Sequence, residues 1–152
     1  MLNALRRVAA FFLSVTLCVS LAACSGDANA GNQTINPDDM AVIRRQAEGF
    51  EEARERLPDL AQLVDDQNWV FTRNLIHGPM QKVGQEMEYI NIRLLKQDQQ
   101  AANRLAKNLK KALENLDEGA KQQNSNRMES AYSEVVQAFS DYAEIIPPEA
   151  LS

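Results

Sequence analysis

Apolar residues recur every three or four positions along four segments of the chain, the spacing that keeps side chains on one face of an α-helix. The longest such segment is Trp69–Leu95, which holds the only tryptophan and the only histidine of the sequence. Asp66 or Asn68 can cap it, and Gly78-Pro79 interrupts it. A proline inside a helix costs about 3 kcal/mol, so we predict a kinked second helix that the others pack against. Its stripe comprises Trp69, Thr72, Ile76, Pro79, Val83, Met87, Ile90 and Leu94.

The first predicted helix covers about Pro37–Val64. Asn36 is a good N-cap residue, and the proline that follows it suits the first helical turn. Pro58 should kink this helix near Arg54, four residues earlier. Arg54 is also the one polar position in the apolar stripe of this helix.

Two further helices complete the pattern. The third is predicted at about Gln99–Lys121, with Asp98 as its N-cap. The fourth begins after Asn126, where Glu129 completes a capping box, and ends at about Ile146, before two prolines. Four helices joined by short loops predict an all-α fold, a four-helix up-down-up-down bundle.

The first 23 residues are predicted to be a lipoprotein signal peptide. Arg6 and Arg7 form a positive n-region, and residues 8–20 form a short apolar h-region. The sequence Leu21-Ala22-Ala23-Cys24 then matches a bacterial lipobox, in which cleavage leaves a lipid-modified Cys24 at the new N-terminus. The alternative is an ordinary secretory signal that ends near a cysteine.

Residues 24–35 are rich in Gly, Asn, Ser and Ala and predict a flexible tether. The bundle domain then covers residues 36–152. Because Cys18 leaves with the signal and Cys24 is acylated, the mature domain has no thiol for a disulfide or a metal site. The lipid on Cys24 is the one covalent group expected, and it would anchor the domain to a membrane.

The charge of the chain excludes one class of partner. The net charge is −5, and removal of a signal peptide with two arginines and no acid brings it to −7. Such a surface is a poor match for nucleic acid. The sequence also contains no phosphate-binding loop and no nucleophile or zinc motif, so neither an enzyme nor a small-molecule substrate is expected.

His77 is the one residue that raises the question of a metal. A single histidine excludes a multi-histidine site within one chain, and methionines in a helical bundle are usually packing residues rather than haem ligands. A surface ion bound by His77 and a nearby carboxylate is a weak candidate. The paired acids Glu51-Glu52 and Asp65-Asp66 are interpreted as solvent-facing, with no acid–base role.

The order of these features resembles a known family. A lipobox precedes a four-helix domain, and Trp69 opens helix 2 ahead of Arg73 and the run Ile76-His77-Gly78-Pro79-Met80. With Leu116-Asp117 and with Tyr132 followed by Phe139, this order is similar to that of the cyanobacterial PsbQ-like proteins (CyanoQ) over about residues 21–148. Plant and algal members lack the lipid anchor, so their partner contacts are not transferable to this chain.

The resemblance implies a non-catalytic, lipid-anchored extrinsic subunit on the lumenal side of photosystem II, in the thylakoid membrane. That subunit would bind lumenal proteins of photosystem II and stabilise the complex and its oxygen-evolving cluster. Two docking surfaces are open: one around Trp69, Arg73 and His77, and one on the basic face of helix 3, which carries Arg104, Lys107, Lys110 and Lys111. Trp69 can instead be a core anchor at the end of the bundle.

Two other functional classes remain open from the sequence. One is a general lipoprotein of the bacterial envelope, such as a scaffold or a chaperone. The other is a small bundle that carries a metal or a haem.

Overall fold

The computed structural model describes residues 34–151. The predicted signal peptide, Cys24 and nearly all of the predicted tether lie outside this range. Within it, the chain forms six α-helices and a final 3₁₀ turn at Pro148–Ala150: α1 Pro37–Arg54, α2 Leu57–Asp65, α3 Trp69–His77, α4 Val83–Asn91, α5 Lys96–Lys121 and α6 Ser125–Ala143. None of the helices in residues 34–151 is long and apolar enough to cross a membrane.

The six helices form four antiparallel rods. α1 packs on α4 and α2 on α3, so the first rod (α1 and α2) runs against the second (α3 and α4). α5 packs on α3, α4 and α6, and α6 returns to α2. The chain therefore folds as an all-α up-down-up-down bundle, which confirms the predicted fold class.

The first rod is broken rather than kinked, which corrects the prediction of one helix over Pro37–Val64. α1 ends at Arg54 and α2 begins at Leu57, so Glu55 and Arg56 separate the two helices. Pro58 lacks the N–H that would bond to the carbonyl of Arg54, so the helical ladder stops there. The break shifts the buried stripe: Ala53 and Leu60 are buried, whereas Arg54 is half-buried and pairs with a neighbouring glutamate.

The second rod is broken at the predicted Gly78-Pro79 pair. α3 ends at His77 and α4 begins at Val83, so the predicted continuous helix to Leu95 is wrong. Pro79 has no N–H that could bond to the carbonyl of Leu75. The backbone N–H of Met80 donates to that carbonyl instead, at 3.2 Å.

Glycine is required at the start of this break. A Cβ on Gly78 would lie 2.8 Å from the carbonyl oxygen of Asn74. The predicted core position Pro79 is exposed, and Met80, only 1% exposed, fills the core instead. The remaining aliphatic positions of the predicted stripe, from Ile76 to Leu94, are buried.

α3 and α6 begin in the same way, with a left-handed glutamine followed by an asparagine N-cap. Gln67 and Gln123 follow α2 and α5 with φ of 52° and 53°, the left-handed conformation that ends many helices. The next residue is an asparagine in both places, and its side chain caps the following helix. Asn68 accepts from the backbone of Phe71 at 3.3 Å, and Asn124 accepts from Arg127 at 3.0 Å. Asn68 is thus one of the two predicted caps.

Three predicted helix ends need correction. α5 begins at Lys96, so Asp98 lies in its first turn rather than at the N-cap. α6 is capped by Asn124 rather than Asn126, because the left-handed residue before it already ends the preceding turn. α6 stops at Ala143, three residues earlier than predicted.

Aromatic rings fill the centre of the bundle. The ring centroid of Phe50 lies 5.4 Å from that of Phe139 and 5.1 Å from that of Tyr142. The Tyr142 hydroxyl lies 2.7 Å from Oδ1 of Asn91, whose amide donates to Asn103 of α5 at 2.9 Å. Burial raises the pKa of Tyr142, so the hydroxyl stays protonated and joins α6 to α4.

Candidate functional site

Arg73 and His77 lie one turn apart on α3 and meet the same carboxylate on α5. Nε of Arg73 donates to Oδ1 of Asp117 at 2.9 Å, and Nε2 of His77 donates to the same oxygen at 2.8 Å. The Asp117 side chain is 19% exposed, compared with 42% for Arg73 and 58% for His77. We call these three residues the α3–α5 clamp, because they join the helix before the proline break to the longest helix.

The clamp keeps its carboxylate charged. Burial by itself raises the pKa of Asp117, but the hydrogen bonds and charges of Arg73 and His77 outweigh it, so the net pKa is lowered. The sequence indicated that Arg73 and His77 share a helix surface, but it did not identify Asp117 as their partner. The available signal was its place next to Leu116 of the buried stripe, which keeps Asp117 at the edge of the interface.

The clamp leaves little room for a bound cation. The weak ion candidate pairs His77 with a carboxylate, and that carboxylate oxygen also accepts from the Arg73 guanidinium. Within residues 34–151, no group of three or more His, Cys, Asp or Glu side chains could hold a metal ion.

Two large apolar side chains of α3, Trp69 and Val70, lie beside the outer end of the clamp. Trp69 is half-buried and packs against the core, as the core-anchor interpretation expects, and it still lines the rim of a groove of about 280 Å³ with Arg73 and Lys121. Val70 and Phe71 follow it and are 65% and 60% exposed. Val70 lines the groove with Arg73, whereas Phe71 projects from the other side of α3.

A second groove lies on the inner side of the clamp. It holds about 440 Å³ between α5 and the link from α3 to α4. Met80 and Leu113 contribute apolar surface, while His77, Asp117 and Lys110 contribute polar groups. The charges of the clamp therefore lie between two shallow grooves, an arrangement suited to binding a surface.

Comparison with known proteins identifies the family. The family described as PsbQ, oxygen evolving enhancer protein 3, matches residues 4–147 of the chain. The chain is also 31% identical over 134 residues to CyanoQ of Synechocystis sp. (strain ATCC 27184 / PCC 6803 / Kazusa), which covers 88% of this chain and 90% of that protein. The chain belongs to the PsbQ family.

Membership of the PsbQ family confirms the resemblance noted from the sequence. As a PsbQ-family protein, the chain is a non-catalytic extrinsic subunit of photosystem II and associates with its lumenal side. The family also decides against a general envelope lipoprotein such as a scaffold or a chaperone.

One carboxyl group of this PsbQ-family chain was missed by sequence reasoning. The side chain of Glu86 on α4 packs against Gly49 of α1, and its Oε2 is buried without a hydrogen-bond partner among the described residues. Burial raises the pKa of Glu86, the charge of Glu52 raises it further, and Lys82 lowers it in part. Of the paired acids predicted to face solvent, Asp65, Asp66 and Glu52 are exposed, whereas Glu51 is partly buried and its Oε1 has no hydrogen-bond partner among the described residues.

Proposed function

We propose that a lipid on Cys24 holds this PsbQ-family chain on the lumenal side of the thylakoid membrane, where the bundle docks on lumenal proteins of photosystem II. Docking would stabilise photosystem II and its oxygen-evolving cluster, without a cofactor other than the lipid. The ordered n-region, h-region and lipobox support the anchor. A lipid confines the search for a membrane-bound partner to two dimensions and raises its effective concentration.

Trp69, Arg73 and His77 are the proposed docking residues. The observation that carries this proposal is the guanidinium of Arg73. Its Nε is bound to Asp117, whereas no residue in the described range accepts a hydrogen bond from its two Nη atoms. A guanidinium that is already oriented loses little freedom when it binds a carboxylate of a partner.

Trp69 and Val70 supply apolar contact area beside this charge. Val70 is 65% exposed and lines the same groove as Trp69 and Arg73, whereas Phe71, two residues before Arg73, projects from the other side of α3. Interface residues that matter most are commonly aromatic or arginine side chains surrounded by contacts that exclude water. An arginine beside a half-buried tryptophan fits that composition.

The test is recovery of photosystem II with a tagged form of the full chain from the native host. Arg73→Ala should reduce the recovery of photosystem II about tenfold, the size expected for an interface arginine that orients a charged hydrogen bond. Arg45→Ala, which removes an exposed arginine of α1, serves as the matched control. Cys24→Ala should release the folded domain from membranes.

His77→Ala separates docking from packing. If photosystem II recovery and thermal stability both remain unchanged in His77→Ala, this residue has no part in docking. Equal recovery with the Arg73 and Arg45 variants would contradict the proposed docking residues, and failure of Cys24→Ala to release the domain would contradict the lipid anchor.

A further inference from the structure

The solvent face of α5 concentrates positive charge in an otherwise acidic protein. Residues 96–113 contain five cations and one anion, whereas the rest of the described chain contains nine cations and nineteen anions. All five cations are exposed. At about 1.5 Å per residue they extend over roughly 22 Å of helix. We call this surface the α5 basic stripe; its members are Lys96, Arg104, Lys107, Lys110 and Lys111.

The protein itself does not neutralise this stripe. Lys111 lies 3.5 Å from Glu114, and both side chains are about two-thirds exposed, a pair that contributes little. Within residues 34–151, no carboxylate lies within ion-pair distance of the other four cations. Clustered like charges repel one another, so the folded bundle gains nothing from placing them together.

The stripe continues into the grooves beside the α3–α5 clamp. Lys110 lines the 440 Å³ groove that contains His77 and Asp117. Lys107 and Lys110 also line the next groove along, between α4 and α5, with Glu88 on its other wall. The cations and the clamp therefore form one continuous side of the bundle.

We propose that the α5 basic stripe is the electrostatic half of the docking face and binds an acidic surface of a lumenal subunit of photosystem II. This inference rests on the proposed function and adds the chemistry of the partner. Charge complementarity carries it, because a protein with a net negative charge approaches an acidic surface favourably only along a positive side.

A protein surface fits the stripe better than a lipid surface does. Helices that lie on membranes combine basic residues with exposed Trp, Phe or Leu that enter the acyl region. The large apolar side chains that are exposed in residues 34–151 are Val70, Phe71, Tyr89, Ile92, Val136 and Leu151, and none of them is on α5. The apolar face of α5 is turned into the core.

The experiment is rebinding of the purified full chain to photosystem II depleted of it, over a range of NaCl concentrations. Arg104, Lys107 and Lys111 are replaced by glutamate in one variant. Affinity should fall at least about tenfold at low salt, and the salt dependence that remains should be weaker than in the wild type. The matched control replaces Arg45, Lys82 and Arg127, three exposed cations elsewhere, and changes the net charge equally.

The outcomes separate this inference from the proposed function. If the wild-type chain does not rebind, the proposed function fails. If it rebinds and both triple variants bind equally well, only the stripe is rejected. A second assay measures binding of the same variants to vesicles that contain an anionic phospholipid. If the stripe substitutions weaken binding to vesicles but leave rebinding to photosystem II unchanged, the stripe binds lipid and the proposal is overturned. Circular dichroism verifies that each variant folds.

Discussion

Two carboxyl groups at helix interfaces of this bundle have opposite energetic roles. Asp117 lies between α3 and α5 and accepts hydrogen bonds from Arg73 and His77, so its pKa is lowered. Glu86 lies between α4 and α1, with one buried oxygen that has no partner among the described residues, and its pKa is raised. Burial raises the pKa in both places. The supply of donors therefore decides whether an interface carboxylate stabilises the fold.

The difference sets opposite pH dependences. The contribution of Asp117 to stability is present above the usual aspartate pKa of about 3.9 and is lost as the pH falls through its lower folded pKa. The ionised form of Glu86 is disfavoured in the fold. The resulting loss of folding stability is absent at low pH and appears as the pH rises through the usual glutamate pKa of about 4.3. It is complete above the raised pKa of Glu86 in the folded protein.

The largest expected effect comes from Asp117→Ala. Loss of both hydrogen bonds leaves Arg73 and His77 without an acceptor, and the free energy of unfolding at pH 7 should fall by about 1–2 kcal/mol, discounted for exposure of the two donors. Denaturant unfolding measures it. Glu114→Ala, three residues earlier on α5, removes an exposed carboxylate and should stay within about 0.5 kcal/mol. Equal losses of stability in the two variants would show that the α3–α5 clamp does not stabilise the fold.

A smaller effect of opposite sign is expected for Glu86→Gln. An amide has nearly the same shape and no charge to desolvate, so this variant should be more stable than the wild type at pH 7 by no more than about 1 kcal/mol, since the side chain is only partly buried. The gain should disappear below about pH 4, where Glu86 is protonated in both states. Glu88→Gln, at an exposed position of α4, is the control. A destabilised Glu86→Gln protein would show that the glutamate is paired.

The smallest effect is expected for Gly49→Ala, because two terms offset each other. Alanine favours the helix over glycine by about 1 kcal/mol. The added Cβ would lie 2.2 Å from Oε1 of Glu86, so the end of that flexible side chain must move. The net change should lie within about 0.5 kcal/mol in the wild type and reach the full helical gain in a Glu86→Ala background. Additivity between the two sites would contradict their contact.

The fold was largely predictable because apolar periodicity reports which face of a helix is buried. That signal located all four rods, and the two internal prolines located both breaks. The extent of each break was not predictable, since it depends on whether neighbouring helices hold the next turn. Met80 rather than Pro79 enters the core for this reason.

Only two of the three residues of the α3–α5 clamp could be grouped from the sequence. Arg73 and His77 are four residues apart, so a helix model places them together. Asp117 is 44 residues from Arg73, and only the packing of α3 on α5 brings it into contact. Glu86 had no signal either, because its burial depends on the missing side chain of Gly49 on a different helix. Local periodicity contains no information on which rods meet at which register.

This PsbQ-family bundle is an extrinsic subunit of photosystem II. The most direct measurement is the amount of photosystem II that co-purifies with the tagged full chain from solubilised thylakoids of the native host. The complex and its lumenal proteins should be recovered, and the recovery should fall as the salt concentration rises. Folded, tagged protein that never brings photosystem II with it at low salt would show that the bundle does not dock there.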